Sequence, residues 1–347
     1  MKKRLILALC LLGSAAVAEV HVTAIGAAAP AGAANRKEPR PVEELRPLAE
    51  AGDAEAQCEL GWRLASGEGV EKNPEEAAAL FRKAAEAGNA VARRNLGVSL
   101  LRGAGVERDA EAAVAELGRA ADAGDWRSAL MLHALHQGQS GGPFDPAKAE
   151  KWRLRGREML EEAVAKGGDS EAEAMLGQML VIERDTDRGV ALLRSAAEAG
   201  DPEGQSGLGE CCRLGIGVPQ SFVQAFNWHF LAANQGDAFS QYMVACFFFH
   251  GDGVGRDEAQ AVAWARKAAE QDWEMAQYNL GCCYRDGVGV EADREQAAAW
   301  LRRAADNGSR DAAVALEAMS VGGGIPVLGP GGAGLRPTFE IRRSWGR

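Results

Sequence analysis

The sequence repeats at a near-constant interval. Glycines in Ala-Gly-Asp-like contexts stand at Gly52, Gly88, Gly124, Gly168, Gly200, Gly236 and Gly308, with Asp272 in the equivalent slot, so successive steps are 36, 36, 44, 32, 36, 36 and 36 residues. A single ordinary core rarely grows past ~250 residues. A 347-residue chain with this period is therefore expected to be a stacked array, in which each unit buries its apolar face on its neighbours. The two irregular steps fall where arrays tolerate length changes. The longer contains the insert Gly141-Gly142-Pro143-Phe144-Asp145-Pro146, and the shorter has lost a glycine turn near Glu183-Arg184-Asp185.

Each unit reads as two helices. The first carries Ala-x-x-x-Leu-Gly-x-x-Tyr, clearest at Ala276, Leu280, Gly281 and Tyr284, positions that share one helix face. Its glycine recurs as Gly61, Gly97, Gly177, Gly209 and Gly281, with His133 and Ala245 as substitutes. A mid-helix glycine costs about 1 kcal/mol against alanine, so its recurrence implies that a neighbouring helix backbone comes close. The second helix pairs a large residue with two alanines, as in Trp228 with Ala232-Ala233, Trp264 with Ala268-Ala269 and Trp300 with Ala304-Ala305. Gly-x-Gly-Val turns, such as Gly287-Val288-Gly289-Val290, separate the helices, and Asp109, Asp257 and Asp293 are placed to start the helices that follow. Aromatic residues are only 6% of the chain, so alanine and leucine must form most of the interior, which suits closely packed helices. These turns lack the Lys-Ser/Thr and flanking strand of a phosphate loop.

A unit of this length and pattern resembles the Sel1-like repeat, a relative of the tetratricopeptide repeat. The resemblance covers residues 53–308 and implies an all-α fold, a right-handed α/α superhelical solenoid of about seven helix-turn-helix repeats. Residues 41–52 and 309–320 resemble half-units that cap the two ends. The third and fourth units depart most from the pattern, with His133 in place of the small residue and altered turns.

Outside the array, Lys2, Lys3 and Arg4 precede the apolar run Leu5 to Leu12, and Ala16-Val17-Ala18 ends in a small-x-small site. This is the layout of a secretory signal peptide over residues 1–18, cleaved after Ala18, and it implies a periplasmic or secreted protein without membrane insertion after cleavage. Residues 19–40 read as a flexible leader and 321–347 as a flexible tail. The end of the tail, with Phe339, Ile341, Trp345 and four arginines, could also serve as a short linear motif or dock on the array. The formal charge of −10 becomes −13 once the three basic residues of the peptide are removed. Nucleic acid is therefore not an expected partner.

No nucleophile-elbow, zinc-protease or phosphate-loop motif is present, and no catalytic residue, metal site or cofactor is expected. His133 and His136 have ligand-like i, i+3 spacing, but no further ligand lies nearby in sequence. Cys58, Cys211, Cys212, Cys246, Cys282 and Cys283 all fall in first helices. Neighbouring helices lie ~8–10 Å apart, wider than the ~7 Å limit between bridged Cα atoms, so small buried thiols are expected, with bridges or metal as alternatives. Relatives rich in cysteine link the second helix of one unit to the first of the next; here the second helices have no cysteine.

In the related tetratricopeptide fold, certain first-helix positions face a concave groove. Resemblance places Phe239, Tyr242, Cys246, Phe249, His250, Met275, Tyr278 and Cys282 there in the sixth and seventh units, and Trp62 in the first. Such a groove suits an extended or helical peptide. The competing reading is inter-repeat core, above all for Phe247-Phe248-Phe249, and the sequence leaves both open. The functional expectation is a monomeric, non-enzymatic scaffold that binds a protein or peptide partner in the cell envelope or outside the cell. The alternatives are a hydrolase or metal-dependent enzyme using histidine or cysteine, and a structural envelope component.

Overall fold

The computed structural model describes residues 40–321 together with Pro337 and Phe339. The signal peptide, the leader up to residue 39 and the rest of the tail lie outside the described residues. Among the described residues the chain is an all-α repeat solenoid of sixteen α-helices and one short 3-10 turn, with no strand. No helix among them is long and apolar enough to cross a membrane.

Two compact units divide the chain at Gly167 and Gly168. In the first, α1 (Val42–Glu50) packs on α2 (Ala54–Ser66), and three helical hairpins follow: α2 with α3 (Pro74–Glu86), α4 (Ala90–Arg102) with α5 (Ala110–Asp122), and α6 (Trp126–His136) with α7 (Pro146–Lys166). The 3-10 turn Gln139–Gly141 and the Gly-Pro insert lie between α6 and α7. The second unit pairs α8 (Ser170–Glu183) with α9 (Thr186–Glu198), α10 (Pro202–Leu214) with α11 (Phe222–Asn234), α12 (Ala238–His250) with α13 (Glu258–Glu270), and α14 (Glu274–Asp286) with α15 (Arg294–Asp306). It ends in α16 (Arg310–Val321), which packs on α15. Within each unit the second helix of one hairpin rests on the first helix of the next.

The helix starts follow the local chemistry of the sequence. Asp109, Asp257 and Asp293 each accept a backbone N–H from the first turn of α5, α13 and α15, satisfying a donor that a helix end otherwise leaves unpaired. The paired alanines of the second helices are buried against the following first helix, as at Ala232-Ala233 and Ala268-Ala269. The mid-helix glycine meets both a side chain and, at most positions, the backbone of its partner helix. A Cβ at Gly281 would lie 2.7 Å from the Leu301 side chain, nearer than any backbone atom, whereas at Gly177 the closest atom is the Gly189 carbonyl oxygen at 2.9 Å. The glycine therefore makes room for a large side chain of its partner helix as well as for that helix's backbone.

A ladder of amides joins the hairpins of the second unit. Gln241 Nε2 donates to the Ala233 carbonyl at 3.2 Å and Gln277 Nε2 to the Ala269 carbonyl at 3.1 Å, each tying a first helix to the second helix before it. Gln271 donates in turn to Gln241 at 2.8 Å, and Asn307 to Gln277 at 2.9 Å. The bonds to Ala233 and Ala269 satisfy carbonyls at helix C-termini that would otherwise lack partners.

A candidate peptide groove on the sixth and seventh repeats

The face shared by α12 and α14 carries a cluster of aromatic contacts. Its construction begins where the repeat breaks its own rule. The other units end a second helix with glycine in left-handed backbone and cap the next helix with Asp, Asn or Ser; before α14 the pair is Asp272-Trp273. Asp272 adopts φ +64°, and Trp273 offers no side-chain cap. In exchange, Trp273 is buried, with its ring 5.8 Å from Phe239 and 6.5 Å from Tyr242. A capping residue and a relaxed turn have been replaced by an aromatic wall.

Phe339 of the tail sits on this wall. It is 1% exposed, and its ring stacks on Phe249 at 4.5 Å and on Tyr242 at 6.4 Å. Its backbone is held at both ends: Phe339 N–H donates to Asn279 Oδ1 at 3.1 Å, and His250 Nε2 donates to the Phe339 carbonyl at 3.3 Å. Asn279 is oriented by its second polar atom, Nδ2, which donates to the Tyr242 hydroxyl at 3.1 Å. Pro337 is buried as well. The face thus contacts both the side chain of Phe339 and the main chain that carries it.

Beneath it lies a buried polar cluster. Arg213 donates through Nε and Nη2 to the two oxygens of Glu210, each at 2.7 Å, and His229 stands between Glu210 Oε1 at 3.3 Å and Ser240 Oγ at 3.0 Å. Burial opposes the Glu210 charge, but the Arg213 guanidinium and the bonds from Arg213 and His229 outweigh it and bring the carboxyl from 4.5 to about 2. Ser240, His229 and Glu210 follow the order of a hydrolase relay, yet all three are fully buried. They tie α10, α11 and α12 together.

A family profile for the Sel1 repeat matches residues 54–89, 90–125, 170–201, 202–237, 238–273 and 274–309. The chain belongs to the Sel1 repeat family. The stretch holding α6 and α7 falls between the matched repeats. No curated protein matches the sequence. Among solved structures, a Sel1 repeat protein from Oxalobacter formigenes is 29% identical, with 80% of this chain and 79% of that chain covered and a TM-score of 0.49. A protective antigen of uropathogenic Escherichia coli displaying an SLR fold is 28% identical, with 80% and 67% covered and a TM-score of 0.42.

Within these Sel1 repeats the residues expected to line a groove separate into two groups. Tyr242, Phe249 and His250 contact Phe339, and Phe239 supports Trp273. Cys246 is buried near Tyr242, and Met275 is half-buried. Tyr278 and Cys282 instead join Leu301, Ala304, Ala312 and Ala315 in the core between α14, α15 and α16. Trp62 packs on the core that contains Leu45 and Leu60. The phenylalanine run divides likewise. Phe247 and Phe248 meet Phe226 of α11, while Phe249 meets Phe339.

Asn279 was not among the expected residues. It is a polar residue beside the Leu-Gly pair, and the other Asn-Leu-Gly, at Asn95 in α4, was the only available hint. His133 Nδ1 donates to the Ala149 carbonyl at 2.8 Å, and His136 Nδ1 lies 3.3 Å from the Pro143 carbonyl, so both rings are engaged with backbone. Among the described residues no three His, Cys, Asp or Glu side chains converge as a metal cage. The six cysteines are buried free thiols. Burial pushes Cys58, Cys211 and Cys246 up to about 12.

Proposed function

We propose that this chain is an exported, non-enzymatic scaffold of the cell envelope that captures an extended segment of a protein partner on the face of α12 and α14. Sel1 repeats generally serve protein–protein interaction, and members of the family generally act as scaffolds without catalysis. The observation that carries the specific reading is the seat of Phe339. Phe339 lies there with its ring on Tyr242 and Phe249 and its backbone N–H on Asn279. Aromatic anchors in a desolvated pocket, with main-chain hydrogen bonds setting register, are a recurrent means of peptide recognition. Export is supported by the charged, apolar and small-residue pattern of residues 1–18.

Cross-linked capture from the envelope of the exporting cell, comparing the native chain with Tyr242→Ala/Asn279→Ala, tests this reading. The double variant should keep its helical circular dichroism and lose specific partners. Identical partner sets would overturn the groove. Export predicts a mature chain whose N-terminus is Glu19.

A further inference from the structure

The segment on the α12–α14 face belongs to the chain itself, and its fit is incomplete in two respects. Phe339 has φ +43°, a left-handed backbone that side chains larger than glycine seldom adopt. The indole Nε1 of Trp273, whose ring neighbours Tyr242, is buried with no hydrogen-bond partner. A buried donor in that condition is uncommon and favours any occupant that brings an acceptor. The same site therefore binds the tail through two rings and two backbone bonds while leaving one polar group unmet and one residue conformationally strained.

We infer that Phe339 makes the tail a resident, displaceable occupant of this groove. The external ligand is an extended peptide with an aromatic side chain in the Phe339 position, a backbone N–H for Asn279, and a carbonyl for the Trp273 indole. The inference rests on the peptide-capture reading above and adds the ligand class and its control. Residues 322–334, seven of them glycine, join α16 to the docking segment. A peptide on a short tether competes at an effective concentration of about a millimolar, so only a ligand that fits better, or is presented at high local concentration, displaces it. The groove is thereby kept from weak, non-specific apolar contacts until such a ligand arrives.

The test uses a fluorescein-labelled synthetic peptide of residues 335–347, titrated into the full-length native chain and full-length Phe339→Ala. The Phe339→Ala chain should bind it at least about tenfold more tightly, because the tethered competitor has lost its anchor. The same peptide with alanine in place of its phenylalanine should not bind, and Asn279→Leu added to Phe339→Ala should abolish binding. Equal affinity for the two chains, or no binding to Phe339→Ala, overturns the inference. A second measurement needs no substitution: the Phe339 amide should be protected from hydrogen exchange in the native chain and lose that protection when unlabelled peptide is in excess. Unchanged protection at saturating peptide also overturns it. If Tyr242→Ala/Asn279→Ala loses partners while the tail peptide has no effect, resident occupancy falls and the scaffold reading stands. If the peptide competes with the tail but partner sets ignore the double variant, occupancy stands and the scaffold reading falls.

Discussion

The backbone N–H of Phe339 donates to Asn279 Oδ1 at 3.1 Å across sixty positions of sequence. Asn279 can make that bond because Tyr242 of the preceding repeat accepts from its Nδ2, leaving Oδ1 aimed at the tail. One side chain of the sixth repeat and one of the seventh therefore build a main-chain receptor that neither repeat has alone.

Asn95 repeats the Asn-Leu-Gly register of Asn279 in the second repeat, but Cys58 of the first repeat stands where Tyr242 stands. Asn95 is 3% exposed, and neither polar atom of its amide has a partner. Replacing an unpaired buried amide with an apolar group of similar shape removes a desolvation cost, so Asn95→Leu should stabilise the chain by about 1–2 kcal/mol. Asn279→Leu, which strands the Phe339 N–H, should destabilise it by about 1 kcal/mol. Thermal denaturation of the two variants checks the opposite signs, and equal losses would contradict the argument.

Glu210 gives the fold a defined acid sensitivity. Its carboxyl is held at about 2 in the folded chain against an ordinary 4.5. As pH falls the unfolded chain therefore takes up the proton first. The stabilisation is complete above pH 4.5 and is lost as pH drops through 4.5 toward 2. Glu210→Gln should lower stability by about 3 kcal/mol at neutral pH, the usual cost of breaking a buried ion pair. Its stability should then vary less than that of the native chain between pH 5 and 3 in urea titrations, where parallel profiles would count against the pairing.

The thiols should be inert until the helices open. Burial raises Cys58, Cys211, Cys212, Cys246 and Cys283, so little thiolate forms at neutral pH. Alkylation of native protein without reductant should be slow, and denaturation should yield six labels on a chain that begins at Glu19. Fewer than six would indicate bridges. Seven would mean that Cys10 and the N-terminal segment had been retained.

Arg184 ends α8 at φ +76°, in a position where other units use glycine. Arg184→Gly should raise stability by about 1 kcal/mol, since left-handed backbone costs an L-residue roughly that much. A lower melting temperature would show that the arginine side chain contributes more than its backbone costs.

The 36-residue interval exposed the hairpins because glycine and paired alanine are forced by geometry that recurs in every unit. Asp272 was legible in the same way: it occupies the glycine slot and adopts the glycine-like φ. Apolar periodicity ranks residues by their tendency to be buried, so it could not separate Tyr242, which meets the tail, from Tyr278, which packs into the next repeat. It also passed over Gln241, Gln277 and Asn279, whose value lies in directed hydrogen bonds rather than in apolar area. The tail's composition showed that it could dock but not where, because its partners stand far away along the chain.

19F NMR of 4-fluorophenylalanine at position 339 tests the seat of Phe339 on α12 and α14 most directly. A ring stacked between Tyr242 and Phe249 should give one resonance displaced upfield from the free peptide. Asn279→Leu should move that resonance toward the free-peptide position. A free-peptide shift in the native chain, unchanged by the Asn279 substitution, would contradict the docked tail.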